Sequence, residues 1–179
     1  RDWSSDVCSS DLNKEGFLVA NGPSINKQDL KPLKNKVTFF LNRSFLHKDY
    51  DYIKPKFHIF IDPKLATGEW DITFLDVVIK KNPDVIFLLN AKWYYLDKFQ
   101  PYIHDKRFKI FWVNMNLFTT PFHKNRKIDL TKITYGFGAP GVALVSMIYM
   151  GMKRQMKKRF PKKKKKTNYF QRNVRTAEL

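Results

Sequence analysis

Five short, almost continuously apolar runs recur along the chain, and they constrain its fold more than any other feature. They are GFLVA (16–20), KVTFFLN (36–42), FHIFID (57–62), DVIFLLN (84–90) and KIFWVN (109–114). Apolar runs of this length, rich in β-branched and aromatic residues, are typical of strands that are buried on both faces. Such strands form parallel sheets, because crossover helices then cover both faces of the sheet.

Helical patterns lie between or after these runs. The first covers 24–30 and follows a proline. The second covers 69–81, with Trp70, Phe74, Val77 and Val78 at helical spacing and a stop at Asn82-Pro83. The third covers 139–151, with Pro140 near its start and Gly151 as the C-cap residue. Strands that alternate with helices predict an α/β fold. We expect an open, mostly parallel, doubly wound (Rossmann-like) sheet of about five strands, incomplete at its C-terminal side.

Three regions of different character divide the chain. Residues 2–12 match the translation of a common sequencing-library adapter, so we interpret 1–12 as an artefactual or disordered leader. Residues 13–153 are expected to form a partial Rossmann-like nucleotide-binding domain, and 154–179 a basic disordered or out-of-frame tail. The domain itself contains no cysteine, which excludes disulfides and cysteine-based metal sites within it.

The net charge of +18 is unevenly distributed. Residues 153–179 carry 12 Lys and Arg against one Glu, without a hydrophobic period. Three explanations stay open for this segment: an out-of-frame coding stretch, a solvated end, or an arm for nucleic acid or anionic lipid. In the body of the chain we expect scattered lysines rather than a clustered basic face. No apolar run reaches the roughly 18 residues that a membrane span needs.

Polar residues end most of the predicted strands: Asn21, Asn42, Asp62, Asn90 and Asn114. Ligands of open parallel sheets bind at the carboxyl ends of the strands. Asn and Asp are also common at the start of loops, which explains any one of these residues equally well. Several of them at one edge of a sheet predict a polar pocket there.

The segment VANGPSI (19–25) follows the first predicted strand. Gly22 allows a tight turn and a close approach of a ligand, and Ser24 can cap a following helix. Free amides at a helix N-terminus form a phosphate site. The segment has neither the Walker pattern nor GxGxxG, and a purely structural turn explains it about as well.

The motifs LVANGPSI, FLNRS, IFIDP and KITYGFGAPGVALVSMIYMGMK occur in an order and spacing that resemble the bacterial sialyltransferases of glycosyltransferase family 42. The chain is also similar to the 6-hydroxymethylpterin diphosphokinase-like domains of surface-polysaccharide clusters. The resemblance extends from Gly16 to about Lys153. It implies a site for the CMP part of a CMP-sugar at Asn21, Gly22, Pro23, Ser24, Asn42, Asp62, Tyr135 and Gly136. Two positions depart from the family pattern, since Asp62 stands in place of a second Asn and Tyr135 in place of a Ser.

The resemblance implies a function in bacterial surface glycan synthesis, with a CMP-sugar donor and a glycan acceptor as partners. It implies neither a cofactor nor a metal, and no specific nucleic-acid partner. The implied location is the cytoplasm, with contact at the inner face of the membrane as an alternative. After Lys153 the family's Gly-x-Asp motif, its phosphate-binding tyrosines and its general-base histidine have no counterparts, so we expect a truncation or frame shift there and assign no catalytic residue. For 13–179 we expect weak nucleotide binding without transfer. The alternatives are a diphosphokinase-like nucleotide-binding domain and a basic module for nucleic acid or anionic lipid.

Other chemistry-bearing residues give weaker signals. The four histidines have no metal-ligand spacing, and His58 is expected to be a packed, hydrogen-bonded ring within a strand. DYD (49–51) matches a metal-binding pattern of other glycosyltransferases but lacks the preceding apolar strand. KWYYLDKF (92–99) interleaves aromatic residues with lysines and is more simply explained by aromatic packing than by stacking on a ligand.

Overall fold

The computed structural model describes residues 14–116, 134–135, 138–152 and 154–156, with side chains for 14–114 and 138–152. The strands in these ranges are β1 Glu15–Val19, β2 Val37–Leu41, β3 Phe57–Phe60, β4 Ile86–Asn90, β5 Lys109–Val113, β6 Met115–Asn116, β7 Thr134–Tyr135 and β8 Arg154–Met156. The first five coincide with the five apolar runs. Their ends differ from the predicted ones by two residues at most.

The main sheet contains six strands in the order β5-β4-β3-β2-β1-β8. Every strand pair in it is parallel. Strands β6 and β7 form a separate parallel pair. The prediction of an α/β fold with an open parallel sheet is therefore confirmed.

Short helices connect the strands. The α-helices are α1 Tyr50–Ile53, α2 Pro63–Thr67, α3 Phe74–Lys81, α4 Gln100–His104 and α5 Gly138–Tyr149. The 3-10 helices are Pro23–Lys27, Lys31–Leu33, Asn42–Leu46, Ala91–Trp93 and Asp97–Phe99. Among the described residues, no helix combines the length and the apolar character that crossing a bilayer requires.

The central strands β2, β3 and β4 are buried at every position. Alternate side chains point to opposite faces, as in any strand. One face carries Phe40, Phe60 and Phe87, packed with residues of the connections between β1 and β5. The other face carries Phe39, Ile59 and Leu88, packed with α5. Both faces of the sheet are thus covered, which is the doubly wound arrangement.

Two predicted helices are shorter than their sequence patterns. The segment 24–30 forms a 3-10 helix that ends at Lys27, and the Asp29 carboxylate accepts a hydrogen bond from the Lys31 amide at 3.0 Å. The helix predicted over 69–81 begins only at Phe74. Before this start, the Asp71 carboxylate accepts a hydrogen bond from the Thr73 amide at 2.9 Å. In both places an Asp side chain competes with helical backbone hydrogen bonds and favours a turn.

The buried face of α3 also differs from the predicted one. Leu75, Val78 and Ile79 are buried, whereas Val77 is 38% exposed. Of the residues in the predicted apolar pattern, Trp70 lies before the helix and Val78 is on its buried face. The predicted C-terminus is confirmed, because Asn82 is the C-cap residue.

A glycine and a further strand follow the end of α5. Gly151 has φ +66 and follows the helix, as a glycine cap does. The chain then forms β8, whose Arg154 pairs with Glu15 of β1. The edge of β1 provides residues 154–156 of the predicted tail with backbone hydrogen-bond partners. Residues 1–13 and 157–179 lie outside the described residues.

Because α5 packs on β1, we expect the same substitution to reduce stability at Gly16 but not at Gly22. A Cβ at Gly16 would lie 2.4 Å from Met152 Sδ and 2.5 Å from Met147 Cε, whereas one at Gly22 would meet only Ser24 Oγ at 4.0 Å. Gly16→Val should lower the free energy of unfolding by about 1 kcal/mol, the lower end of the range for overpacking, because the atoms that must move are the ends of two flexible methionine side chains. Gly22→Val, at an ordinary φ of −67°, should leave it nearly unchanged. Urea denaturation of both variants checks this, and equal stability would mean that the Met147 and Met152 side chains make room for the valine.

Candidate functional site

The carboxyl edge of the sheet carries the predicted polar residues. Because the strands are parallel, Asn21, Asn42 and Asp62 follow β1, β2 and β3 at the same edge. From β1 to β5 the chain adds strands in one direction, and β8 lies on the other side of β1. The loop after β1 is therefore at the topological switch point, where open α/β sheets bind their ligands.

The loop at this switch point is Asn21, Gly22, Pro23 and Ser24, and all four residues are exposed. Gly22 is the N-cap residue of the 3-10 helix Pro23–Lys27, with φ −67° and ψ 153°, a conformation open to any residue. Ser24 lies inside that helix, whose start has no side-chain cap. The predicted Ser24 cap is therefore wrong, because the helix begins one residue earlier. Space around Gly22 is open to a ligand rather than filled by the protein.

Two side chains of the segment after β2 hold the backbone that follows this loop. His47 Nε2 lies 3.1 Å from the Ile25 carbonyl oxygen, and the Asp49 carboxylate accepts from the Leu30 amide at 3.0 Å. His47 Nδ1 accepts from the Asp49 amide at 3.1 Å, so Nε2 carries the proton and donates to Ile25. The loops after β1 and β2 are in this way joined into one unit.

Asn42 is the most constrained residue of the site. It is 7% exposed and has φ +46°, a left-handed conformation that Asn adopts more readily than other non-glycine residues. Its Oδ1 accepts from the Ile61 amide at 3.4 Å, which connects the end of β2 to the loop after β3. Among the described residues, none accepts a hydrogen bond from its Nδ2. The amide is available to donate to a ligand.

A buried histidine fixes the backbone of Asn42. His58 Nε2 donates to the Asn42 carbonyl oxygen at 2.7 Å, and the Tyr50 hydroxyl donates to His58 Nδ1 at 2.9 Å. This assignment follows because a carbonyl can only accept, which places the ring proton on Nε2. Burial lowers the pKa of His58 to about 3, against the smaller opposite effect of the Asn42 hydrogen bond. Burial, with a lesser effect of Asp51, raises the pKa of Tyr50 well above its usual value. His58 is the packed, hydrogen-bonded ring that its position in a strand predicts.

Asp62 and Asn90 have the same local role at their strand ends. The Asp62 carboxylate caps α2 by accepting from the Lys64 amide at 3.1 Å. Asn90 Oδ1 caps the 3-10 helix Ala91–Trp93 by accepting from the Lys92 amide at 3.0 Å. Each residue is thus explained as a loop opener. Asp62 differs in being only partly buried, which leaves its carboxylate accessible at the edge.

The two remaining predicted residues are described in part or not at all. Tyr135 lies in β7 and its backbone pairs with Asn116 of β6, but its side chain lies outside the described part. Gly136 also lies outside it. The structure thus brings Asn21–Ser24, Asn42 and Asp62 to one edge. It does not place the Tyr135 side chain or Gly136 relative to them.

The DYD segment takes part in protein contacts. Besides the Asp49 contact with Leu30, Asp51 forms an ion pair with Lys81 at 3.2 Å. No group of three or more His, Cys, Asp or Glu side chains able to hold a metal occurs within the described ranges. Sequence reasoning missed the structural roles of His47 and Asp49, since their partners lie 22 and 19 residues away.

A second feature lies at the opposite, amino edge of the sheet. A pocket of about 590 Å³ is lined by Lys14, Glu15, Asn35, Lys36, Val37 and Lys56. Three lysines gather here, from the segment before β1 and from the connections that lead into β2 and β3. The local signal was a lysine just before three of the strands, but only the parallel pairing shows that these positions are neighbours.

Comparison with known proteins adds no relatives: the chain matches no family model, no curated protein and no solved structure.

The depressed pKa of His58 predicts a specific loss of stability in acid. The unfolded histidine takes up a proton below pH 6.5, whereas the folded one stays neutral down to about pH 3. Stability should therefore be complete above pH 6.5 and fall as the pH decreases toward 3, by up to about 1.4 kcal/mol per pH unit. His58→Gln should be less stable at neutral pH, because buried hydrogen bonds are lost, yet show a shallower pH dependence.

Urea denaturation of the wild type and the variant between pH 7 and 4 measures this slope, with pH values chosen around the ordinary histidine pKa of about 6.5. The matched control is His104→Gln, since His104 is exposed. It should keep the wild-type slope. If His58→Gln also keeps that slope, His58 is not the group responsible.

Proposed function

We propose that the chain is a sialyltransferase-like glycosyltransferase domain that binds the nucleotide of a CMP-activated sugar at the carboxyl edge of its sheet. The observation that carries this proposal is the position of the Asn21–Ser24 loop at the topological switch point, beside the buried Asn42. A nucleotide needs hydrogen-bond donors for its base and phosphate and an acceptor for its ribose. The residues at this edge can provide both.

Asn42 is the proposed base or ribose donor. Its Oδ1 is already engaged with Ile61, so its Nδ2 group can donate to a carbonyl or hydroxyl oxygen of the ligand. The left-handed backbone and the His58 hydrogen bond hold this amide in one orientation. A donor that is fixed before binding loses little conformational freedom when the ligand arrives.

Asp62 suits a ribose better than a phosphate. A carboxylate accepts hydrogen bonds from sugar hydroxyls, as the acidic residue of dinucleotide-binding folds does. One of its oxygens accepts from Lys64, and the other can accept from a ligand. The Asp at this position, in place of the Asn of the resembling family, is thus compatible with nucleotide binding.

Helix α5 provides a favourable field for the phosphate. It packs across β1, β2 and β3 and leads into β8, which begins at the amino end of β1. Its own N-terminus at Gly138 is therefore directed to the carboxyl edge. The positive end of the dipole of this 12-residue helix favours a phosphate there.

Nucleotide binding predicts different effects of the same substitution at two strand ends. Asn42→Asp keeps the acceptor for Ile61 and tolerates the left-handed backbone, but it replaces the donating amide by a charge that repels the nucleotide. We expect about tenfold weaker binding of CMP, or more, as for the loss of a charged-ligand hydrogen bond. Asn90→Asp should bind CMP like the wild type, because Asn90 ends β4, three strands from β1 and roughly 14 Å away.

Isothermal titration of CMP into the wild type and both variants measures this effect. Thermal unfolding of each variant confirms that both are folded. Equal binding by the two variants would place the nucleotide site elsewhere. Preference for ATP over CMP would favour the diphosphokinase-like alternative.

A further inference from the structure

The pocket at the amino edge of the sheet is formed by residues that immediately precede or begin strands. Lys14 and Glu15 begin the β1 region, Lys36 precedes β2 and Lys56 precedes β3. Parallel pairing of β1 with β2, and of β2 with β3, brings these starts to one edge. We propose that this pocket binds a small phosphate-bearing anion, independently of any nucleotide at the carboxyl edge.

Charge is the first argument for this ligand class. Three lysines and a single glutamate line the pocket, which leaves an excess of positive charge. Lys36 is exposed, and Lys56 is half-buried with its Nζ 5.7 Å from the centre of the Phe57 ring. The excess of positive charge in the lining attracts an anion. Lysine binds phosphate as a point charge with three donors.

Size and the remaining lining residues narrow the class further. A volume of about 590 Å³ is within the usual range of small-molecule sites. Asn35 adopts φ +63° in the turn before Lys36 and presents a neutral carboxamide. Val37 contributes a buried apolar side chain. Cationic, amide and apolar groups together suit a phosphorylated small molecule better than a bare halide.

Inorganic pyrophosphate is a suitable probe, because it carries several phosphate oxygens without a base or sugar. We expect that its titration into the full chain, at low and constant ionic strength, shifts the backbone amide NMR signals of Asn35, Lys36 and Val37. This readout separates the pocket from the basic segment 157–179. A saturating concentration of CMP should not displace the probe.

Two double variants that remove the same charge test the lysines of the pocket. Lys36→Gln with Lys56→Gln should weaken pyrophosphate binding at these amides about tenfold, because two charge-assisted contacts are lost. Lys48→Gln with Lys92→Gln removes the same charge at exposed positions outside the pocket and should have little effect. Glu15→Gln should have the opposite effect and tighten binding, since it removes the carboxylate of the lining.

The outcomes are distinct from those of the nucleotide experiment. The proposal is overturned if pyrophosphate does not shift these amides, if both double variants lose binding equally, or if CMP displaces the probe.

Vesicles of equal parts phosphatidylcholine and phosphatidylglycerol identify the source of the phosphate. Displacement of bound pyrophosphate from these amides by the vesicles would assign the pocket to a lipid headgroup. Binding of pyrophosphate alone would assign it to a free metabolite.

Discussion

Burial of the central strands on both faces is the constraint on which the rest of the structure depends. Strands β2, β3 and β4 have no exposed position, so each face of the sheet must be covered by a different set of elements. The connections from β1 to β5 cover one face, and α5 covers the other. To reach that second face the chain has to leave β5 and return beside β1. The switch point at the β1 loop is a direct consequence of this path.

The same constraint explains why a histidine at the centre of the sheet remains neutral. His58 is fully buried among Phe45, Phe60 and Phe87, in surroundings that disfavour a charged ring. Both ring nitrogens are hydrogen-bonded, which offsets the cost of burying a polar group. One of these bonds ends on the backbone of Asn42. A requirement of the core thereby fixes the geometry of a residue at the carboxyl edge of the sheet.

Parallel pairing also gives the sheet two chemically different edges. Asparagine and aspartate follow the strands at the carboxyl edge, and lysines precede three of them at the amino edge. A phosphate at the carboxyl edge would interact with backbone amides and the α5 dipole, whereas one at the amino edge would interact with lysine side chains. The two proposed sites therefore differ in the groups that would hold a phosphate.

The sequence by itself determined the five strands and the burial of the central three, since continuous apolar runs suit a sheet that is covered on both faces. The edge strand β5 is only partly buried, which its apolar run does not indicate. The sequence also determined local signals such as the end of α3 at Asn82 and the glycine after α5, because these depend on neighbouring residues only. Tertiary structure decided what depends on distant partners. The pairing of Arg154–Met156 with β1, the contacts of His47 with Ile25 and the gathering of Lys14, Lys36 and Lys56 all join segments far apart in the chain. Local periodicity does not encode such contacts, because they arise only when the parallel strands are brought into register.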